Sequence, residues 1–206
     1  MTYQGIHHGG TALVVCALKT EAKGIINAYE MERNESVPFP LFMSEGICCA
    51  VTGVGAIQVM RVLPLAIGIT APAVLINAGC AGTLSSSMAK DTVYEITRAN
   101  MHEAGESSPR SIELVTTGAF PGATLFTSPE PVLDAESRGK LGTRYDLVDM
   151  EGYAVAAIAE KTSIPVSIIK IVSDSSADDD ELTIRRNITR CGETLARETV
   201  RFIRSL

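Results

Sequence analysis

Two carboxylates, Glu151 and Asp174, each stand where an apolar run of the sequence stops. Glu151 follows the run 145–149 and Asp174 follows the run 166–172, and both runs have the length and composition of buried strands. Because an unpaired charge is costly to bury, acids at the ends of two core strands suggest a function. Ligands of open α/β sheets bind at the carboxyl ends of parallel strands. We therefore expect the chemistry of this chain at these two positions.

A third acid, Glu21, follows the first apolar run, 11–17, at the start of a helical pattern. If the three strands are parallel, the three carboxylates converge at one sheet edge. Two glycine-rich turns, 52–55 and 79–82, would let a ligand approach backbone N–H groups closely. Carboxylates can bind vicinal hydroxyls, protonate a leaving group and activate water, so this pocket suits a polar, ribose-like molecule.

Each acid also has a purely structural explanation. Glu21 and Glu151 could be acids of a first helical turn, where the helix dipole favours negative charge. Asp174 could be a cap or turn residue in a segment rich in serine and aspartate. The three signals are weak one by one, and their common topology favours the functional interpretation.

Strand-like runs alternate with helical patterns along most of the 206 residues, which predicts an α/β fold with a largely parallel sheet covered by helices. The length suits a single domain, residues 1–206, and no linker or repeat divides it. Loops are expected at 103–110 and 175–180. We expect strands at 11–17, 47–53, 73–77, 92–97, 112–117, 124–128, 145–149 and 166–172, and helices at 19–32, 55–69, 151–162 and 181–204.

Composition excludes several classes of protein. A net charge of -6 argues against a nucleic-acid surface, and Gln58, Arg61 and Pro64 interrupt the longest apolar runs, so no membrane span is expected. The first residues lack the features of a secretory signal, and the five cysteines lack metal-type spacing. We expect a cytoplasmic protein with reduced cysteines, no metal site and no cofactor.

Familiar nucleotide and hydrolase motifs are missing. The pair Gly53 and Gly55 follows a strand, but position 58 is Gln, so the third glycine of the dinucleotide motif G-x-G-x-x-G is absent. The sequence contains neither G-x-x-x-x-G-K-[ST] nor G-x-S-x-G, which leaves P-loop and α/β-hydrolase chemistry without support.

Four blocks of the chain resemble, in the same order, motifs of the purine nucleoside phosphorylase/nucleosidase superfamily. The nearest branch is the methylthioadenosine/S-adenosylhomocysteine nucleosidases. The resemblance implies a nucleoside phosphorylase-like fold, a single-domain three-layer sandwich with a mixed, largely parallel central sheet. The blocks are Cys-Ala-Leu-Lys-Thr-Glu-Ala at 16–22, Thr-Gly-Val-Gly at 52–55, Leu-Ile-Asn-Ala-Gly-Cys-Ala-Gly at 75–82, and Val-Asp-Met-Glu at 148–151 with Ile-Val-Ser-Asp at 171–174.

The resemblance also implies roles for individual residues. Glu21 would activate the attacking water, and Asp174 would be the acid that protonates N7 of the purine. The N-glycosidic bond would break through an oxocarbenium-like transition state, without a cofactor. The implied substrate-binding residues are Met150 against the sugar, Glu151 on the ribose hydroxyls, Ser173 beside Asp174, and Gly55, Cys80 and Gly82 in the glycine-rich segments.

The favoured reaction is hydrolysis of a purine nucleoside, of the 5′-thioadenosine type. Phosphorylases of this superfamily hold phosphate with arginines, whereas the first loop here carries Glu21 and no arginine. A phosphorylase, a futalosine hydrolase-like enzyme and a non-catalytic nucleoside-binding relative remain alternatives. By resemblance we expect a homo-oligomer, a dimer.

Three positions or segments depart from the family pattern. Cys80 replaces a serine, and Lys170 replaces an arginine that supports the first acid. The segment between His102 and Tyr145 is shorter than in the family, where it supplies the purine-stacking aromatic. The segment 128–133, Ser-Pro-Glu-Pro-Val-Leu, contains no Phe. The base and the 5′ substituent are therefore left open by the sequence.

Overall fold

Strands and helices alternate along the chain, and the strands join in one mixed sheet. The computed structural model describes residues 10–102, 108–175 and 180–206. The predicted loops 103–110 and 175–180 therefore lie largely outside the described residues. The strands are β1 (Ala12–Cys16), β2 (Glu32–Arg33), β3 (Leu41–Ser44), β4 (Ile47–Val51), β5 (Val74–Thr83), β6 (Val93–Met101), β7 (Arg110–Glu113), β8 (Gly122–Thr127), β9 (Leu147–Asp149) and β10 (Val166–Asp174). The helices are α1 (Lys19–Ala28), α2 (Ala56–Thr70), α3 (Ala135–Gly142), α4 (Gly152–Thr162) and α5 (Glu181–Ile203).

Five of the strands close into a ring. Strand β5 pairs with β10, β10 with β6, β6 with β8, β8 with β9, and β9 again with β5. From β5 the sheet continues outward through β1, β4, β3 and β2, and β7 adds to β6. The longest strand, β5, thus belongs both to the ring and to the open part of the sheet.

Helices cover the two faces of the sheet because side chains alternate along its strands. On β1, Val14 and Cys16 face a core shared with α1 and α5, whereas Leu13 and Val15 face a core shared with α2 and α4. The predicted α/β fold with three layers is confirmed. In the described part of the chain, no helix has the length and apolarity needed to cross a membrane.

The sheet is more evenly mixed than predicted. Among the described strands, five pairings are parallel and five are antiparallel. Two of the antiparallel pairings lie in the ring, β6 with β10 and β9 with β5, and the other three add β2, β3 and β7 at the margins of the sheet. The expectation of three parallel strands ending in the three acids was therefore wrong for β9.

The glycine-rich segment 79–82 is not a turn, as the sequence suggested, but the continuation of β5. A Cβ atom on Gly79 would lie 3.2 Å from both Glu21 Oε1 and Lys170 Nζ. On Gly82 it would lie 2.7 Å from Asp174 Oδ2. The glycines make room for polar side chains that cross the strand. Strands β2 and β3 and helix α3 were not predicted at all.

Candidate active site

The acids predicted from the sequence meet in one cavity of about 140 Å³. Glu21 reaches it from the first turn of α1, Glu151 from the start of α4, and Asp174 from the end of β10. All three are buried. The predicted residues that line the cavity are Glu21, Cys80, Gly82, Met150, Glu151, Ser173 and Asp174.

The three acids converge although β9 runs antiparallel to β5, because β9 pairs with the carboxyl end of β5. Val148 pairs with Gly82 near the carboxyl end of β5, and β9 runs from there back along β5. Glu151 follows β9 and so arrives beside the middle of the glycine-rich segment. Asp174 pairs with Gly82 from the other side. The far end of β5 therefore brings both acids to the same place.

Glu21 accepts three hydrogen bonds from backbone N–H groups. Its Oε2 accepts hydrogen bonds from Leu18 N at 2.9 Å and Ala17 N at 3.1 Å, and its Oε1 accepts one from Cys80 N at 2.8 Å. Glu21 therefore has the structural role at the helix start that the sequence suggested. Its bond from Cys80 N also ties the start of α1 to β5. Burial raises the pKa of Glu21, although these backbone donors and Lys170 act in the opposite direction. A carboxylate with a raised pKa can accept a proton from water.

Glu151 is fixed by the glycine turn before α2. Gly55 has a φ of 97°, a conformation that favours glycine, and its N–H donates to Glu151 Oε1 at 2.7 Å. Gly55 is not among the described residues that line the cavity, and its contact with a ligand stays a prediction. Burial, together with the nearby charge of Asp149, raises the pKa of Glu151 to about 7.

Asp174 has a donor on each carboxylate oxygen. Ser173 Oγ donates to Oδ1 at 2.7 Å, as expected for a supporting residue. Arg138 Nη2 donates to Oδ2 at 2.5 Å, in an ion pair whose two side chains are both buried. The arginine comes from α3, whose first turn is capped by Asp134 through a 2.7 Å bond from Ser137 N.

A second buried ion pair adjoins the cavity, which its acid Asp149 lines. Lys170 Nζ is 2.8 Å from Asp149 Oδ2, and Asp149 also accepts bonds from Thr127 Oγ1 and Gly152 N. Burial acts to lower the pKa of Lys170, but the charges of Asp149 and Glu151 outweigh it and the pKa is raised. Lys170 is thus a fixed cation among three carboxylates.

The remaining predicted residues complete the lining. Met150 is half-buried between Asp149 and Glu151. Burial, with the charge of Glu21 next, raises the pKa of the Cys80 thiol well above its usual value, so this cysteine stays protonated beside Glu21. In the described part of the chain, no group of three or more His, Cys, Asp and Glu side chains has the arrangement of a metal site.

Sequence reasoning missed Arg138 and Asp149 as parts of this site. Asp149 had a visible signal, since it is an acid at the end of an apolar run. Arg138 had none, because α3 carries little apolar periodicity and the helix itself was not recognised. Only the three-dimensional arrangement places its guanidinium on Asp174.

Comparisons with known proteins agree with this fold. Residues 114–204 match the family model described as the phosphorylase superfamily. No curated protein matches the chain. Over these residues the match confirms the resemblance to this superfamily that the sequence motifs indicated.

Solved structures with the same fold cover nearly the whole chain. A mutant of the Helicobacter pylori 5′-methylthioadenosine/S-adenosylhomocysteine nucleosidase, with 5′-methylthioadenosine in its active site, has a TM-score of 0.86 at 15% identity, covering 96% of this chain and 100% of that one. The Neisseria meningitidis nucleosidase, in complex with methylthio-immucillin-A, has a TM-score of 0.84 at 18% identity, covering 96% and 100%. The futalosine hydrolase of H. pylori has a TM-score of 0.81 at 16% identity, covering 97% and 100%.

Proposed function

We propose that this protein hydrolyses the N-glycosidic bond of a purine nucleoside. One observation carries the proposal: three buried carboxylates from three different elements line one cavity, and each has hydrogen-bond partners that suit a different role. The folds of the nucleosidases and of the futalosine hydrolase described above support the same reaction class.

Glu21 would activate the water. Three backbone donors fix its position, and its raised pKa lets it take a proton as the water oxygen forms its bond to C1′ of the ribose. The developing positive charge at the sugar is then close to buried carboxylates, which stabilise it electrostatically.

Glu151 and Asp174 would act on the two halves of the substrate. Glu151 has one oxygen fixed by Gly55, which leaves Oε2 to bind ribose hydroxyls, while Met150 packs on the sugar. The electron pair of the breaking C1′–N9 bond passes to the base. Asp174, which is ion-paired with Arg138, would first take up a proton from solvent and then pass it to N7. Ser173 orients Asp174 through its 2.7 Å hydrogen bond.

The distribution of cations favours water over phosphate as nucleophile. Among the lining residues, Arg138 is the cation, and it is paired with Asp174 on the side assigned to the base. Lys170 is paired with Asp149. The part of the lining near Glu21 therefore offers a phosphate a carboxylate and no unpaired cation, so phosphate would be repelled.

The protein would act as a homodimer in the cytoplasm. Helix α2 exposes apolar side chains, among them Ile57 and Met60, and the adjoining Val54 lines the cavity. A homodimer formed through this face would cover apolar surface beside the site. The five free cysteines suit a reducing compartment such as the cytoplasm.

The test is release of free base from methylthioadenosine, S-adenosylhomocysteine, adenosine, inosine and futalosine, each with and without phosphate. We expect release that does not depend on phosphate and that yields free ribose or its 5′-substituted form. Release only with phosphate, giving a ribose 1-phosphate, would identify a phosphorylase. Binding without any turnover would favour the non-catalytic relative.

A further inference from the structure

Among the described residues that line the cavity, Arg138 is the cation, and the proposed reaction gives it no direct role. Its side chain is 3% exposed, as expected of a group built into the fold rather than one lying on the surface. Three elements hold it: α3 carries it, the segment before α3 accepts a bond from Nε at Val132 O (2.8 Å), and β10 supplies Asp174. Because removing either partner of a buried ion pair leaves an uncompensated charge, Arg138 and Asp174 hold each other in place.

The backbone of β5 is shaped around this arginine. A Cβ atom on Gly82 would lie 3.1 Å from Arg138 Nη1 and 2.7 Å from Asp174 Oδ2, so a glycine is needed where the ion pair crosses the strand. Nη1 is 3.4 Å from Thr83 O on the same strand, a long hydrogen bond. The guanidinium therefore has a fixed plane beside the acid that would protonate the base.

The hydrogen bonds within the described part of the chain use three of the five guanidinium N–H groups, one of them weakly. The two others, one on each terminal nitrogen, can donate to a ligand in the cavity that Arg138 lines. A guanidinium donates and never accepts. The group that it recognises must therefore present acceptors.

The edge of a purine near N7 takes one of two forms. A 6-oxopurine presents two acceptors, N7 and O6, whereas adenine presents the N7 acceptor beside the N6 amino donor. Arginine matches the two-acceptor edge with its fork of N–H groups. Opposite adenine, the N6 amino donor would face an N–H donor of Arg138, so neither group would form a hydrogen bond there.

We propose that Arg138 selects nucleosides whose base is a 6-oxopurine. It would donate a hydrogen bond to O6 while Asp174 protonates the neighbouring N7. This inference rests on the proposed function and narrows it, since it replaces the 5′-thioadenosine type expected from the sequence with a nucleoside of the inosine or guanosine type. Arg138 is then a specificity-determining residue. Asp174 orients Arg138 through their ion pair and protonates N7.

The first test compares kcat/KM of the wild-type protein on matched substrate pairs, inosine with adenosine and 5′-methylthioinosine with 5′-methylthioadenosine. We expect the oxo member of each pair to be preferred by roughly 10- to 100-fold, because the oxo base gains a charge-assisted hydrogen bond at O6 where the amino base would place a donor against a donor. Equal rates, or a preference for the amino member, would overturn the proposal without any variant being made.

The second test changes the arginine. Arg138→Lys keeps a positive charge beside Asp174 but loses the planar fork. We expect the preference to fall to within a few-fold, because kcat/KM drops for the oxo substrates and is much less affected for the amino substrates. Arg144→Lys, at an exposed arginine just after α3, is the matched control and should keep the wild-type ratio. Equal loss on both substrates would show a merely structural arginine.

Binding of the free bases separates this inference from the proposed reaction. Calorimetry should give tighter binding of hypoxanthine than of adenine to the wild-type protein, and the difference should vanish in Arg138→Lys. If this holds while no nucleoside is hydrolysed, the proposed reaction fails and the base selection stands. If nucleosides are hydrolysed while both bases bind equally, the selection fails and the reaction stands.

Discussion

Glu21 has a structural role at the start of α1 and a proposed chemical role as general base. One substitution tests the chemical role. In Glu21→Gln an amide group would face backbone N–H donors, and the side chain could no longer take a proton from water. We expect kcat to fall by about 10²- to 10⁴-fold, the usual contribution of a general base. Steady-state base release measures it, and circular dichroism checks that the fold is kept. Glu45→Gln, at an exposed acid, is the control. Normal turnover of Glu21→Gln would contradict the assignment.

Glu151 makes stability depend on pH in a direction that is unusual for an acid. Its pKa is raised from 4.5 to about 7 in the folded state, so the folded chain binds the proton more tightly than the unfolded chain does. Its contribution is complete below pH 4.5 and is lost as the pH rises through 7. The size of the effect is on the order of 3 kcal/mol at 1.4 kcal/mol per pKa unit.

Glu151→Gln removes this dependence while keeping an acceptor for Gly55. Relative to wild type, the free energy of unfolding of the variant should therefore rise between pH 5 and pH 8. Urea unfolding at the two pH values measures the difference. The exposed Glu160 on the same helix supplies the control, since Glu160→Gln should follow wild type at both. A parallel shift of all three proteins would show that Glu151 does not titrate in this range.

The sequence indicates the acids of this site more readily than the groups that hold them. Glu21, Glu151 and Asp174 could be predicted because each interrupts an apolar pattern. Lys170 could be noticed for the same reason, as a lysine within the apolar run 166–172. Its pairing with Asp149 depends on contacts between β10 and the segment before α4, which no local pattern encodes.

At the scale of elements, the contact between α1 and α5 sets the position of Glu21. A Cβ atom on Gly24 would lie 2.4 Å from Ala196 Cβ, and one on Gly192 would lie 2.8 Å from Thr20 O. The two helices approach closely because these positions carry no side chain. Since Glu21 lies one turn before Gly24, moving α1 would move the acid.

Gly24→Ala should therefore lower both stability and activity. Crowding of this kind costs about 1–3 kcal/mol, and a shift of α1 by a fraction of an ångström would reduce kcat through Glu21. Thermal unfolding and steady-state kinetics measure the two effects. Gly68→Ala, in α2 with open space around it, should instead stabilise the protein by about 0.4–1 kcal/mol. If Gly24→Ala behaved like Gly68→Ala, the tight contact would be disproved.

Elements with a strong apolar pattern were predictable, and those positioned by long-range contacts were not. The helices at 55–69 and 181–204 match α2 and α5 to within one residue. Strand β5 was expected to stop at 77, but it continues to Thr83 because β10 and β9 pair with its glycine-rich half. Those partners come from chain segments more than 60 residues away, so glycine there looks like a turn when the sequence is read locally.

At the scale of the whole molecule, α2 presents an apolar stripe to solvent. Ile57 is 68% exposed, Met60 56% and Leu65 55%, at the spacing of one helix face. We expect a dimer in light scattering, and Met60→Asp should shift it to the monomer by placing a charge in the buried interface. Leu182→Asp, at a leucine 58% exposed on α5, should leave the dimer intact. A monomeric wild-type protein would refute this interface.

The ring of strands also bears on how the protein resists aggregation. A closed ring has no unpaired margin to which a foreign strand could add, which removes five strands as templates for fibril growth. In the described part of the chain the sheet ends instead at β2 and β7. Strand β2 has only two residues, Glu32 and Arg33, both charged and exposed, and β7 begins and ends with a charged residue. Short, charged margins discourage intermolecular pairing, so the architecture that assembles the acids also protects the chain in a crowded solution.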